Sequence, residues 1–217
     1  MNLISPILDL IFPPKCVFCA RIMAGDGLRI CPDCQQKLPW LEGEAAGKTV
    51  EFTSKCVSAL RYQGKAAEGI HRYKFSGRES SCAVFGVLLS QVVDDHLKGQ
   101  FDVITWVPVS RQRRRERGYD QSFLLARELG RILNRKPVGL LRKTKHLQPQ
   151  SRLNGAAERR ANVMGAYCVP RPERVQGKRV LLVDDVVTTG ATLSECARTL
   201  LLAGAEAVVC ITLAKAG

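Results

Sequence analysis

No stretch of this 217-residue chain is apolar over anything close to the roughly 18 residues that a membrane-spanning helix needs, so a helical membrane protein is excluded. Aromatic residues make up only 6% of the sequence, too few for a surface that reads nucleic acid by base stacking. Histidine is scarcer. His71, His96 and His146 form no recognisable constellation, so no His-based triad is invoked and each reads as a surface or packing residue. Internal repeats and low-complexity tracts are also missing. The first residues, MNLISPILDLIFPP, lack a basic flank and a small-residue cleavage site, and Asp9 interrupts them. A short docking helix is expected there in place of a signal peptide. Without a secretory signal, nine cysteines point to a reducing compartment and away from a disulfide framework.

The length suits one sizeable domain, or one domain plus a small module. The net charge of +13 is concentrated. Residues 101–180 hold 19 Lys/Arg against 6 Asp/Glu, and the rest of the chain is balanced. A polyanionic partner is one explanation and a solvated basic face is the other. Four cysteines are patterned as Cys16-x2-Cys19, eleven residues, Cys31-x2-Cys34. Each pair can present two thiolates to one metal across a tight turn, and two such knuckles complete a tetrahedral zinc site. A redox CxxC would explain one pair but not two. Cys56, Cys82, Cys168, Cys196 and Cys210 lack such spacing and read as core packing.

The polar stretch after Trp40 divides the chain into an N-terminal helix and cysteine module (1–45), a linker (46–55) and a main domain (56–217). Within the stretch, GEAAGKT resembles a phosphate loop. The motif needs four residues between its glycines and a preceding apolar strand; this segment has three and no strand, so it is rejected. From Cys56 onward strands alternate with helices. VSALRY, FDVITW, VGLLRKTK, KRVLLVDD and EAVVCITLA read as strands. SSCAVFGVLLSQVVDDHLK, YDQSFLLARELGRIL, the short basic LNGAAERRA and TLSECARTLLLAG read as helices. The alternation predicts an α/β fold with a mainly parallel sheet flanked by helices.

The most informative stretch is VLLVDDVVTTGAT, Val180 to Thr192. A branched apolar strand runs into two carboxylates, Asp184 and Asp185, and then into a threonine–glycine turn that opens a helix. In open α/β sheets ligands bind at that strand end. Two adjacent carboxylates suit a sugar's vicinal hydroxyls. The turn offers N–H groups, hydroxyls and a helix N-terminus to a phosphate, and Gly190 allows close approach of the backbone. An ordinary helix cap is the simpler explanation, but it needs only one such residue.

These residues resemble the phosphoribosyl-pyrophosphate (PRPP) signature of type I phosphoribosyltransferases. The resemblance implies that Asp184 and Asp185, the candidate catalytic pair, hold the ribose 2′- and 3′-hydroxyls. It also implies that Val187, Thr188, Thr189, Gly190, Ala191 and Thr192 hold the 5′-phosphate. The order of the cysteine module, YKFSGR (73–78), VPVSRQRRRERGYDQSFLLA (107–126), QSRLNGAAERRANV (150–163) and this signature is similar to that of the ComF (competence protein F) family over nearly the whole chain. Many members carry Asn where this chain has Asp120. The resemblance gives Val107, Pro108, Val109, Ser110 and Arg111 the place of a pyrophosphate loop, with Lys74 and Arg78 adding charge. It further implies a bacterial cytoplasmic protein of natural competence, acting with single-stranded DNA and a DNA-uptake helicase or channel. Magnesium would accompany PRPP, held mostly by substrate and water.

If the chain turns over, pyrophosphate leaves the anomeric carbon through a cationic sugar state, and the protein supplies geometry and charge. No acceptor site is legible. A DNA-uptake protein on this scaffold therefore competes with a plain salvage or biosynthetic phosphoribosyltransferase and with a non-catalytic docking scaffold. The arginines Arg113, Arg114, Arg115 and Arg117 exceed what one pyrophosphate can engage, so nucleic-acid contact is expected of them.

Overall fold

The computed structural model describes residues 13–23, 28–75, 81–144 and 163–217. The expected docking helix, the basic LNGAAERRA segment, Arg78 and His146 lie outside the described residues, as does nearly all of the 150–163 block. Of Arg111 only the backbone is described.

The first knuckle is a turn in which Ala20 N–H bonds back to Cys16 O, flanked by a bridge between Lys15 and Ile22. The second opens helix α1 (Pro32–Lys37), with Cys31 at the N-cap and Pro32 in the first turn, where a missing N–H costs nothing. Strand β1 (Lys55–Arg61) follows, then α2 (Gly64–Phe75), α3 (Cys82–His96) and β2 (Val103–Trp106). Next come α4 (Arg111–Arg117), α5 (Gln121–Ile132), β3 (Arg142–Lys143) and β4 (Tyr167–Cys168). The chain ends with β5 (Arg179–Val187), α6 (Ala191–Leu202) and β6 (Ala207–Lys215).

Four strands form one all-parallel sheet in the order β1-β6-β5-β2. Both faces are covered. Leu181 and Val183 of β5 join one apolar cluster with α3 and α5, while Val180 and Leu182 join the other with α6. A strand buried on both faces has no polar alternation, which is why β5 and β6 read as continuous apolar runs.

The structure differs from the sequence expectation in three places. The VGLLRKTK strand shrinks to Arg142–Lys143, which pairs antiparallel with Tyr167–Cys168 outside the main sheet. Residues 46–55, expected as a linker, are held along the sheet. Gly47 bridges Val57, Lys48 N–H bonds Cys56 O, Ser54 N–H bonds Val208 O, and Lys55 already belongs to β1. Helix α2 was not anticipated. It buries Ala66, Gly69, Ile70 and Tyr73 at helical spacing and lies against the first cysteine knuckle, where a Cβ on Gly69 would stand 2.9 Å from the Phe18 ring and from Val17 O. The apolar cluster is accordingly continuous from Cys16, Phe18 and Cys34 through Ile70 and Phe85 to Leu181.

Candidate ligand site at the ends of the central strands

β2 and β5 run in parallel register, with Trp106 beside Val183 and Val107 N–H bonded to Val183 O at 3.0 Å. The loop after β2 therefore opens directly beside Asp184. β5 continues past both acids to Val187, so the pair sits within the last turn of the strand, with Asp184 beside Thr212 of β6. Thr188 and Thr189 then lead to Gly190, whose φ of +80° is left-handed and which caps α6. Ser194 N–H bonds Gly190 O at 2.8 Å, closing the first helical turn. A Cβ on Gly190 would stand 3.0 Å from Val50, so the segment expected as a linker also packs against this turn.

The acids are positioned by neighbours far along the chain. Ser122 Oγ donates to Asp184 Oδ1 at 2.8 Å, and Asp185 N–H donates to the same oxygen at 2.9 Å. Lys74 Nζ lies 2.7 Å from Asp185 Oδ1. Burial, and next the charge of Asp185, push the Asp184 carboxyl up to about 7, against the pull of its hydrogen bonds and of Lys74. The Val107–Ser110 loop is tied down by Asp120, which accepts from Val109 N–H at 3.3 Å while capping α5 through Phe123 N–H at 3.1 Å. Burial raises the Asp120 carboxyl as well. Ser110 caps α4, its Oγ accepting from Arg113 N–H at 3.2 Å.

Helix α4 separates its arginines. Arg113 and Arg117, one turn apart, are half-buried, whereas Arg114 and Arg115 are exposed. The four arginines expected to contact nucleic acid thus lie on two faces of the helix, Arg114 and Arg115 on the exposed one. Arg117 donates to Gln121 Oε1 at 3.0 Å and its guanidinium lies 4.6 Å over the Phe75 ring. Burial lowers its basicity, and the Asp185 charge opposes that. Sequence pattern missed two features. Ser122 carries no motif that links it to Asp184. Lys143 is a half-buried ammonium 5.2 Å over the Tyr167 ring, lowered by burial and by Arg113 and raised in part by Asp184. His71 packs against the Phe75 ring with centroids 4.6 Å apart, tilted by 38°.

The four cysteines meet as a separate group. All four sulfurs lie within 4.8 Å of one another, and Cys19 and Cys31 are 3.6 Å apart. Zinc–sulfur bonds of about 2.3 Å in a tetrahedron put sulfurs about 3.8 Å apart, so the donor set fits one zinc ion. Burial raises the Cys34 thiol, and a dication is what would stabilise four clustered thiolates.

Residues 120–217 match the phosphoribosyl transferase domain family, and residues 7–49 match the double zinc ribbon domain family. The chain is 33% identical to competence protein F of Haemophilus influenzae over 226 residues, which is 93% of this chain and 97% of that one. The chain belongs to the competence protein F family. A second member, DNA utilization protein YhgH of Escherichia coli K12, is 32% identical over 203 residues, covering 89% of this chain and 86% of the relative. In this competence protein F relative the phosphoribosyl transferase match begins at Asp120, so it includes Ser122, both acids and the Gly190 turn. The β2 loop, Lys74 and all of α4 precede it. The zinc ribbon match spans all four clustered cysteines and supports a structural zinc site. No helix of the described residues is long and apolar enough to cross a membrane.

Proposed function

We propose that the cleft binds PRPP or a nucleotide and that the protein acts in DNA utilisation or uptake with single-stranded DNA. One observation carries the first half. Asp184 and Asp185, the Gly190 turn and the Val107–Ser110 loop converge at the carboxyl ends of β5 and β2, with Lys74 and the half-buried Arg117 beside them. In this reading Asp184 and Asp185 accept from the ribose 2′- and 3′-hydroxyls. The segment Val187–Thr192 takes the 5′-phosphate on its N–H groups and hydroxyls. The loop Val107–Arg111 takes the pyrophosphate. Magnesium, when bound with the ligand, neutralises pyrophosphate charge. In this reading the cation is held mostly by ligand and water.

The second half is supported by the names of the relatives, competence and DNA utilisation, and by the exposed Arg114 and Arg115. The charge inventory suits a backbone-tracking contact with little base preference. Any turnover would expel pyrophosphate from the anomeric carbon, with the residues above holding the sugar and leaving group in place. A thermal-unfolding series tests the reading. PRPP with magnesium should raise the melting temperature, and a single-stranded oligonucleotide should do so at low salt. A melting temperature unmoved by PRPP, ribose phosphates and nucleotides alike would refute it.

A further inference from the structure

Lys74 is held in the cleft by a frame, unlike an ordinary surface lysine. Tyr73 hydroxyl donates to Gln121 O at 2.8 Å, Tyr119 hydroxyl donates to Tyr73 O, and Gln121 Nε2 donates to Lys74 O at 3.4 Å. Phe75, the next residue, receives the Arg117 guanidinium on its ring. The backbone of residues 73–75 is thus fixed to the start of α5. From it the Lys74 ammonium reaches Asp185, with only 18% and 14% of the two side chains exposed.

The acceptor inventory of the pair follows. Asp184 Oδ1 already takes two donors, from Ser122 and from Asp185 N–H, and Asp185 Oδ1 takes Lys74. Each carboxylate has about four lone-pair sites, so acceptors remain on both acids, but a sugar diol seated on the pair draws on the same Asp185 charge that holds the ammonium. Adjacent carboxylates in a partly buried place would otherwise repel each other and bind a proton, which would spoil them as acceptors. The Lys74 ammonium beside Asp185 opposes that, while burial still holds the Asp184 carboxyl up to about 7. Lysine suits a counter-ion that must leave, because its single ammonium sits on a flexible stem, whereas an arginine would clamp with two parallel bonds.

We propose that Lys74 is the resident counter-ion of the acidic pair, displaced from Asp185 by the sugar hydroxyls of the ligand and then taken up by the ligand's pyrophosphate. The inference rests on the ribose-phosphate reading of the cleft and adds a basis for specificity. A ligand with pyrophosphate gives the displaced ammonium a new partner. A sugar phosphate without it breaks the Lys74–Asp185 pair and offers nothing in return. Lys74 therefore favours PRPP over ribose 5-phosphate.

Calorimetry at pH 8 with magnesium, using PRPP and ribose 5-phosphate on the unmodified protein, Lys74→Met and Lys74→Gln, separates the outcomes. In both variants PRPP should bind about tenfold more weakly and ribose 5-phosphate about tenfold more tightly, one charge-assisted contact in each direction. Lys74→Gln keeps a polar side chain and guards against a folding defect in the methionine variant. A merely structural lysine would weaken both ligands together. If the unmodified protein binds PRPP and both variants keep its preference, Lys74 is not the counter-ion and the cleft reading stands. If the unmodified protein binds neither ligand, the cleft reading falls and the counter-ion role falls with it.

Discussion

Gly69 and Phe18 touch so closely that no side chain fits between them: a Cβ at residue 69 would stand 2.9 Å from the Phe18 ring. The contact docks α2 on the cysteine knuckle. It is reinforced by Arg72 donating to Phe18 O and by Lys65 paired with Asp33 at 3.0 Å. The same helix ends at Lys74, against Asp185. The cysteine module and the acidic pair are therefore linked through one helix.

Zinc removal is expected to propagate along that connection. Because the knuckle's Cys16, Phe18 and Cys34 share a core with Ile70, Phe85 and Leu181, chelation should lower the unfolding temperature of the main domain and weaken PRPP binding together. Metal analysis beside calorimetry on native and chelator-treated protein checks this. Main-domain melting unchanged by loss of one zinc per chain would contradict it.

Asp184 should make stability fall as pH rises. Its carboxyl is pushed up to about 7 by burial and by Asp185, while in the unfolded chain it returns to its ordinary value of 3.8. The folded state thus holds an extra proton between those values. The stability this confers is complete below about pH 4 and is lost as pH rises through about 7. Asp184→Asn should therefore be more stable than the unmodified protein at pH 8, by about 1–3 kcal/mol, with the gap closing toward pH 4. Urea unfolding at several pH values measures it. A variant less stable at pH 8, or a gap independent of pH, would show that Asp184 carries no burial penalty.

The two faces of α4 should separate two binding functions. Arg114→Ala with Arg115→Ala should reduce the slope of log affinity against log salt for single-stranded DNA by about 1.4, at about 0.7 per phosphate contact, and leave PRPP binding intact. Arg113→Ala with Arg117→Ala should weaken PRPP about tenfold or more, as expected for loss of charged contacts. Fluorescence anisotropy on a labelled oligonucleotide over a salt series, paired with calorimetry, distinguishes the faces. An unchanged salt slope in the outward pair would assign those arginines to a protein partner.

Legibility in the sequence followed local determination. β5, α6 and β6 were readable because both-face burial writes unbroken apolar runs, and Gly190 and Gly204 bound the helix. The cysteine spacing was readable because chelation is itself local. Helix α2 was not, because its buried face is made partly of Ala66 and Gly69, small residues that fit the space beside Phe18 and give almost no apolar signal. The acids and the turn were likewise visible, but the residues that orient them were not. Ser122 lies 62 positions from Asp184, and only the parallel pairing of β2 with β5 brings the start of α5 to it. The inward turn of Arg113 and Arg117 depends on where Ser110 and Gly118 cap α4, a matter of phase that a run of arginines conceals.

Calorimetric titration of PRPP with magnesium into the unmodified protein and into the Asp184→Ala, Asp185→Ala double variant tests the ribose-phosphate site most directly. Loss of the hydroxyl acceptors should weaken binding by about 2–4 kcal/mol, at about 1–3 kcal/mol for each charged hydrogen bond lost with partial compensation by water. Equal affinity in the two proteins would contradict a ligand seated on the acidic pair.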